Sequence, residues 1–526
     1  MNDNYVYLYD STLRDGSQMR GVDFSVADKV AIAKALDDFG IDYIEGGWPG
    51  ANPRDDAFFE APPALHNAKL VAFGMTRRAN TSAGNDPTLN ALLNAGTTSI
   101  CLVGKSWDFH IEKALEITPQ ENAAMIADSI KHAISQGRDT MFDAEHFFDG
   151  HKSNPAIALQ MLQAAHAAGA SWLVLCDTNG GTLPDDIFQI VSEVRTALPN
   201  AKLGIHCHND CGLAVANSLA AIKAGVRQVQ GTINGIGERC GNADLISIIA
   251  NLALKSEYQT AIDAHRLTRL TKLSRLIDER LDRPANMHAP YVGAAAFAHK
   301  GGLHVSAMAK DSRSYEHIAP EAVGNKREIL ISDKAGRSNI AQRLHEMGIE
   351  TPSDAQISEL VHLVKELETK GYAYEGADAS FEIMVRRHLG LMPNYFEVES
   401  FRVLDERRFN ALQQVITLSE ATIKVNIAGK RVMEVGEGNG PVNALDCAIR
   451  KALISHYPVI EHLRLVDYKV RILSPKDATA AITRVMIESS DDRKTKRWAT
   501  IGVSANVIDA SYNALIDAIN YMLLKS

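Results

Sequence analysis

Six cysteines are spread over 526 residues, at Cys101, Cys176, Cys207, Cys211, Cys240 and Cys447, and no two form a CxxC pair. A chain this long needs no disulfide framework, so free thiols in a reducing cytosol are expected. Basic charge is also scarce: 55 Lys and Arg stand against 64 Asp and Glu, for a net charge of −9. That excludes a broad positive field for nucleic acid or an anionic membrane, while a local basic pocket for an anionic cofactor stays compatible with it. No apolar run approaches the ~20 residues of a membrane span, and Met1-Asn2-Asp3-Asn4-Tyr5 lacks the basic and apolar regions of a secretory signal. A cytoplasmic protein without nucleic-acid or membrane partners is the expectation. A dinucleotide loop is missing too: the first strand runs into Asp10-Ser11-Thr12-Leu13-Arg14-Asp15-Gly16 rather than GxGxxG.

What is present is alternation. Short apolar strands at 6–9, 43–45, 70–73, 99–102, 140–142, 172–175, 203–207 and 228–232 are separated by amphipathic runs at 26–39, 89–95, 121–136, 156–168, 187–198 and 214–224, with 245–254 after the last strand. The crossover after Trp48 is the least clear. Eight strands in strict alternation over about 250 residues predict a (β/α)8 TIM barrel over 1–275. Residues 276–400 read as small helical linker subdomains. Residues 401–526 hold two similar β/α units, near 422–457 and 466–523, and read as a duplicated regulatory or dimerisation domain.

Barrel sites lie at the C-terminal ends of the strands, and the polar residues gather there. Arg14 and Asp15 follow the first strand, Glu45 ends the second, Glu145 and His146 follow the fifth, and Asp177, Thr178 and Asn179 the sixth. His206 and His208 end the seventh, and Asn234, Glu238 and Asn242 follow the eighth. One such residue means little; so many argue for a site. His206 and His208 share one side of a strand, and two imidazoles with a carboxylate suit Zn2+, Mn2+ or Fe2+, and Mg2+ if water completes the shell. Asp15 is the expected third ligand and Asn242 a weaker fourth. Beside them, Arg14 can hold a carboxylate or a developing oxyanion, as carbon–carbon bond chemistry requires. Cys207 should point away from the metal and pack, Glu238 and Arg239 are read as pairing with each other, and Asp108, His110 and His132 as solvated surface.

Three motifs together carry a resemblance: Asp10-Ser11-Thr12-Leu13-Arg14-Asp15-Gly16-Ser17-Gln18, His206-Cys207-His208-Asn209-Asp210 and Gly235-Ile236-Gly237-Glu238-Arg239-Cys240-Gly241-Asn242. In this order they resemble the DRE-TIM metallolyases, the group of 2-isopropylmalate, homocitrate and citramalate synthases and hydroxymethylglutaryl-CoA lyase. The last ~120 residues resemble the allosteric domain of the isopropylmalate-synthase branch, which the lyases lack. Ser99-Ile100-Cys101-Leu102-Val103-Gly104-Lys105-Ser106-Trp107-Asp108-Phe109-His110 and 142–150 are similar to the citramalate-synthase subgroup.

The resemblance implies that Asp15, His206 and His208 bind a divalent metal, Mn2+ or Mg2+ with Zn2+ as an alternative, and that Asn242 lies close by. It implies that Arg14 and Thr178 hold a 2-oxo acid, that Glu145 lies beside it, and that Glu45 is the acidic member of the family signature. It assigns acid–base catalysis to His304, reaching in from a partner subunit, accompanied by Tyr315; Val305-Ser306 follows where relatives carry an acidic helper. The implied reaction is a Claisen condensation of acetyl-CoA with pyruvate, with either His304 or Glu145 as the base. Gly438, Asn439 and Gly440 and Ser504 and Ala505 resemble effector loops, with isoleucine the expected inhibitor of a homodimer. The alternatives are the same chemistry giving isopropylmalate or homocitrate, a metal-dependent aldolase or lyase, and a non-catalytic amino-acid sensor on a dead barrel. The substrate-selecting wall is expected from Met75, Leu102 and Phe142 at the ends of strands three to five.

Overall fold

The computed structural model describes residues 4–299, 307–308, 310–329, 337–350, 352–409, 411–474, 480–494 and 497–526. The chain falls into two compact units, 1–297 with 316–327 and 298–315 with 328–526. In the first, β1 (Tyr7–Asp10), β2 (Tyr43–Gly47), β3 (Lys69–Met75), β4 (Ser99–Lys105), β5 (Asp139–Glu145), β6 (Trp172–Asp177), β7 (Leu203–Cys207) and β8 (Gln228–Gly231) pair in sequence order as a closed barrel. Every pairing is parallel, including the closing one of β1 with β8. This is the expected TIM barrel.

Five crossover helices carry proline in the first turn: Pro53–Glu60, Pro87–Asn94, Pro119–Ser135, Pro155–Ala167 and Pro184–Ala197. There the ring presets a helical φ and the missing N–H costs nothing. Asn52, Asp86, Thr118 and Asn154 stand just before four of them and accept from first-turn N–H groups. Starting a helix at its first apolar residue therefore starts it late, at 89 instead of 87 and at 187 instead of 184. The strands likewise run further than their apolar residues: β4 reaches Lys105 and β5 reaches Glu145, still paired with each other.

Alternation sorts the barrel's side chains into two layers. Tyr9, Phe73, Cys101, Met141, Trp172 and Val174 fill the inside. Leu8, Ile44, Leu102, Phe142, Leu173 and Ile205 pack outward with the helices.

In the second unit, helices Arg337–Glu346, Asp354–Thr369 and Asp378–His388 share a core that includes Leu344, Leu360, Val364 and Phe381. Two repeats follow, each a three-stranded antiparallel sheet and a helix. The first is Glu397–Phe409, Val415–Ile427, Lys430–Gly438 and helix Pro441–Ile454; the second is Leu463–Ile472, Thr483–Asp491, Arg497–Ser504 and helix Val507–Leu524. The duplication was legible because the central strands alternate buried and half-buried residues; Glu397–Phe409 was not, because it is exposed along most of its length. Among the described residues no helix is long and apolar enough to cross a membrane.

In the second repeat the helix lies so close to its sheet that a Cβ on Gly502 would meet the Ala510 carbonyl oxygen at 1.9 Å. Gly502→Val should therefore destabilise the C-terminal unit by about 1–3 kcal/mol or more, the usual cost of overpacking. Gly440, with an extended backbone and nothing near its Cβ position, should accept alanine with little loss. Urea unfolding followed by far-UV circular dichroism compares the two.

Candidate active site

β7 delivers two imidazoles to the C-terminal end of the barrel. His206 faces inward, while Cys207 turns out among the helices, where burial pushes its thiol up; it is a packing residue, as its parity requires. His208 lies just past the strand, paired through its backbone with Asn242, and the two rings are 5.1 Å apart. Asp15, in the turn after β1, places Oδ2 3.5 Å from His206 Nε2. One ligand atom each from Asp15, His206 and His208 lies within 4.8 Å of the others, and all three residues are buried.

The neighbours fix how these groups point. His206 Nδ1 is 2.9 Å from Gln230 Oε1, and since a carbonyl oxygen only accepts, Nδ1 carries a proton and Nε2 is the ring nitrogen left to bind a metal. Gln230 cannot turn over, because its Nε2 donates to Asp143 Oδ1 at 3.1 Å. Asn242 Nδ2 donates to Asp15 Oδ1 at 3.0 Å and to the Ile236 carbonyl at 3.2 Å. The loop closes over Asn242 only because position 237 is glycine; a Cβ there would fall 2.1 Å from Asn242 Nδ2.

This arrangement fits a divalent cation. His206 Nε2 and Asp15 Oδ2, 3.5 Å apart, face one another. The buried His208 Nδ1 and Asn242 Oδ1 have no hydrogen-bond partner among the described residues. Two imidazoles, a carboxylate and an amide oxygen form a donor set that such an ion accepts. Protonation is also set for binding. Burial alone would raise Asp15, but Arg14 and the two histidines hold it well below the usual carboxylate range. Burial, then His206, pushes His208 down to about 3.

Arg14 is clamped from both sides. Nε donates to Glu45 Oε2 at 2.7 Å and Nη1 to Asp15 Oδ2 at 3.0 Å, with the Phe73 ring 3.8 Å from the guanidinium carbon. Glu45 is fully buried and its other oxygen accepts from Tyr9 Oη at 2.7 Å. Both Glu45 oxygens thus face protein groups, so Glu45 steers Arg14. Burial would lower the guanidinium, but Glu45 and Asp15 outweigh it and hold Arg14 above its ordinary value.

A cleft of about 270 Å3 opens over these groups, lined by Trp48, Phe73, Met75 and Val103 and by Lys105 and Glu145. Met75 lies where the sequence put it. Leu102 and Phe142 do not: both pack outward, and strand parity gives Val103 and Asp143 to the interior instead. Glu145 Oε2 is 2.5 Å from Lys105 Nζ. Thr178 also lines the cleft, and its Oγ1 accepts the His146 backbone N–H at 2.8 Å. Arg239 makes the expected pair with Glu238, at 3.4 Å, and a closer one with Asp210, at 2.8 and 2.9 Å, that sequence adjacency does not reveal. Asp177 is spent on Thr182 and Asn217, and Asn234 on Ser274. His110, expected in solvent, stacks on Trp107 with its ring 4.2 Å from His146. Lys105, Gln230 and Asp143 join the site without standing out in the sequence; the available signal is a polar residue at inward parity in a barrel strand.

His304 lies outside the described residues. Tyr315 belongs to the second unit and is exposed. In that unit Gly438, Asn439 and Gly440 lead into helix Pro441–Ile454, where the Asn439 N–H donates to Asn443 Oδ1 at 3.0 Å. Ser504 and Ala505 lead into Val507–Leu524, with the Asn506 N–H donating to Ser504 Oγ at 3.1 Å.

Three family descriptions match the chain: HMGL-like over residues 5–274, Homocitrate synthase post-HMGL domain-like over 291–372, and LeuA allosteric (dimerisation) domain over 375–523. An (R)-citramalate synthase of Aquifex aeolicus is 50% identical over 523 residues, 99% of this chain and 98% of that one. The chain belongs to the HMGL-like family, on its citramalate synthase branch. Two more (R)-citramalate synthases align end to end: that of Geobacter sulfurreducens at 49% identity, over 99% of this chain and 98% of its own, and that of Synechocystis sp. at 48%, over 98% and 96%.

For an HMGL-like barrel with this donor set, the partners behind the ligands are as testable as the ligands. Gln230→Leu removes the tautomer lock on His206 and should weaken Mn2+ binding about 10–100-fold, with His206→Ala weaker still, measured by equilibrium dialysis. Ring 15N spectra of the metal-free protein should show His208 neutral at pH 5. Below its ordinary value of 6.5 the unfolded chain takes up a proton that folded His208 refuses, so stability falls as pH drops from about 6.5 toward about 3. His208→Gln should flatten that acid limb in denaturation curves.

Proposed function

We propose that the barrel catalyses the (R)-citramalate synthase reaction: acetyl-CoA and pyruvate condense, and water cleaves the thioester to release citramalate and CoA. The observation that carries this reading is the union of Arg14, Asp15, His206 and His208 at the mouth of a barrel whose full-length relatives near 50% identity bear that name. A divalent cation, Mn2+ or Mg2+ with Zn2+ also suited to the donors, held by Asp15, His206 and His208 beside Asn242, supplies Lewis-acid polarisation of the 2-oxo acid. Arg14, fixed by Glu45, donates to the ketone oxygen as negative charge develops there. Thr178 holds the substrate carboxylate, and the pyruvate methyl lies against the Phe73, Met75 and Val103 wall. A proton leaves the acetyl methyl for a base, the new C–C bond forms to the ketone carbon, and the oxygen is protonated; hydrolysis of the C–S bond then drives the sequence forward. Glu145, held by Lys105, is the candidate base in the described cleft, and His304 is the other.

The same reading divides the chain into a catalytic part, 1–275, a helical linker, 276–400, and a regulatory and dimerising part, 401–526, working in the cytoplasm. The matched LeuA allosteric (dimerisation) domain supports a homodimer, and the C-terminal sheets expose Leu404, Met433, Val435 and Val470 to a partner. Isoleucine is the proposed inhibitor, at the loops of Gly438, Asn439 and Gly440 and of Ser504 and Ala505.

Purified protein with Mn2+ should release thiol from acetyl-CoA with pyruvate in clear preference to 2-oxoisovalerate and 2-oxoglutarate, and chelation or His206→Ala should abolish it. Arg14→Lys should lower kcat by about 10²–10³, the cost of losing an oxyanion donor. No release with any oxo acid despite bound metal would sink the reading.

A further inference from the structure

A Claisen condensation puts negative charge on two oxygens in turn, and the groups assigned above serve one of them. Asp15, His206, His208 and Arg14 gather around the ketone oxygen. The other is the thioester oxygen, which takes the charge when a proton leaves the acetyl methyl. A thioester α-carbon is a weak acid, so a positive group or fixed donor at that oxygen lowers the barrier. Three side chains of permanent positive charge line the cleft: Arg14, Arg239 and Lys105.

Two of the three are committed. Arg14 donates to Glu45 and Asp15, and Arg239 to Asp210 and to the Thr178 carbonyl at 2.6 Å. Lys105 keeps capacity. Among the described residues its ammonium has one ion-pair partner, Glu145 Oε2 at 2.5 Å, and an ammonium has three donors. Its place is fixed as well. Lys105 ends β4 in register with Glu145 on β5, one inward position beyond Val103. Its carbonyl accepts from Asn122 Nδ2 at 2.9 Å, and the next backbone N–H, of Ser106, donates to the Glu145 carbonyl at 3.1 Å. Lys105 and Glu145 also stand between two spaces. Besides the cleft, both line a second, mainly apolar cavity of about 200 Å3 with Leu115 and Ile117. A reaction of two substrates needs such a boundary, reached by one of them from each side.

We propose that Lys105 is a catalytic residue that stabilises the enolate of acetyl-CoA by donating to its thioester oxygen. The inference rests on the proposed condensation. With Glu145 as the base, its carboxylate takes a proton from the acetyl methyl. The C–H electron pair becomes the C=C bond of the enolate, and the C=O π pair moves onto the thioester oxygen. The Lys105 ammonium hydrogen-bonds to that oxygen and keeps its own proton. When the enolate attacks, the C=C pair forms the bond to the ketone carbon, the thioester C=O is restored, and the charge passes to the ketone oxygen at Arg14. Base and donor must lie close together, because the methyl carbon and the thioester oxygen are bonded to the same carbon. A lysine paired with the base meets that demand, and each developing oxyanion then has its own fixed cation.

The test uses the full-length protein with Mn2+. Lys105→Met should lower kcat for thiol release at least tenfold, since one oxyanion donor is worth about 10²–10³, and leave KM for pyruvate within threefold. Carboxymethyl-CoA, a thioether that brings a carboxylate to the reacting end of CoA, separates this role from a lesser one in which Lys105 only holds Glu145. Its Kd, by isothermal titration calorimetry, should rise at least tenfold with Lys105→Met, both in the parent protein and on a Glu145→Gln background. CoA itself should bind all four proteins within threefold. Lys105→Gln runs the same comparison if Lys105→Met does not fold. A kcat loss under tenfold, a carboxymethyl-CoA effect that disappears on the Glu145→Gln background, or CoA weakened as much as carboxymethyl-CoA would each overturn the proposal. Carboxymethyl-CoA binding needs no oxo acid. Lys105-dependent binding without thiol release from any oxo acid would therefore overturn the proposed reaction and support the enolate contact, and the reverse result would overturn the contact alone.

Discussion

A single guanidinium shared by two buried carboxylates governs the catalytic end of the barrel. Arg14 lies between Glu45, which is 0% exposed, and Asp15, which is 3% exposed. At an effective dielectric near 20, unit charges ~3 Å apart attract by roughly 5 kcal/mol, while desolvating each ion costs several kcal/mol. Neither carboxylate could be buried there without the arginine, and the arginine could not be held still without both. The trio keeps one excess negative charge, with the buried Asp143 one glutamine away from His206. A site with surplus negative charge, a carboxylate held ionised and the His208 imidazole held neutral is built to take a cation. The rigidity that Glu45 and Phe73 impose on Arg14 is what an oxyanion donor requires, since a donor that must reorganise at the moment of reaction stabilises less.

That end of the barrel was largely legible in the sequence because its groups are adjacent along the chain or two apart on a strand. Arg14 with Asp15, and His206 with His208, announce themselves by spacing alone. What stayed hidden depends on register between distant strands. Gln230 meets His206 because β7 and β8 pair those two residues, and Asp143 meets Gln230 across the inside of the barrel; no local pattern encodes either. Arg239 lies closer to Asp210, 29 positions away, than to its neighbour Glu238. Leu102 and Phe142 are apolar residues at strand ends that face outward, because in a parallel barrel apolar residues face both layers; only counting parity from a known inward residue separates them. At the chain's other end, the central strand of each repeat showed itself by alternation, while the exposed strand Glu397–Phe409 carried no such signal.

The two ends of the cleft answer to different demands, and the barrel keeps them on different strands. The groups that would act on a 2-oxo acid, Asp15, Arg14, His206 and His208, come from the ends of β1 and β7 and recognise features every 2-oxo acid shares. The wall that would meet the variable side chain, Phe73, Met75 and Val103, comes from β3 and β4. A methylene more or less against such a wall is worth only ~1–3 kcal/mol, far less than the loss of a ligand or of the Arg14 clamp. Selectivity can therefore drift between neighbouring oxo acids through β3 and β4 while the chemistry of β1 and β7 stays fixed. Among the described residues the two demands meet at Phe73, whose ring lies on the Arg14 guanidinium as well as in the wall. Changing it alters the shape of the pocket and the seating of the arginine together, so the freedom to retune the substrate lies in Met75 and Val103, which touch the pocket without supporting the clamp.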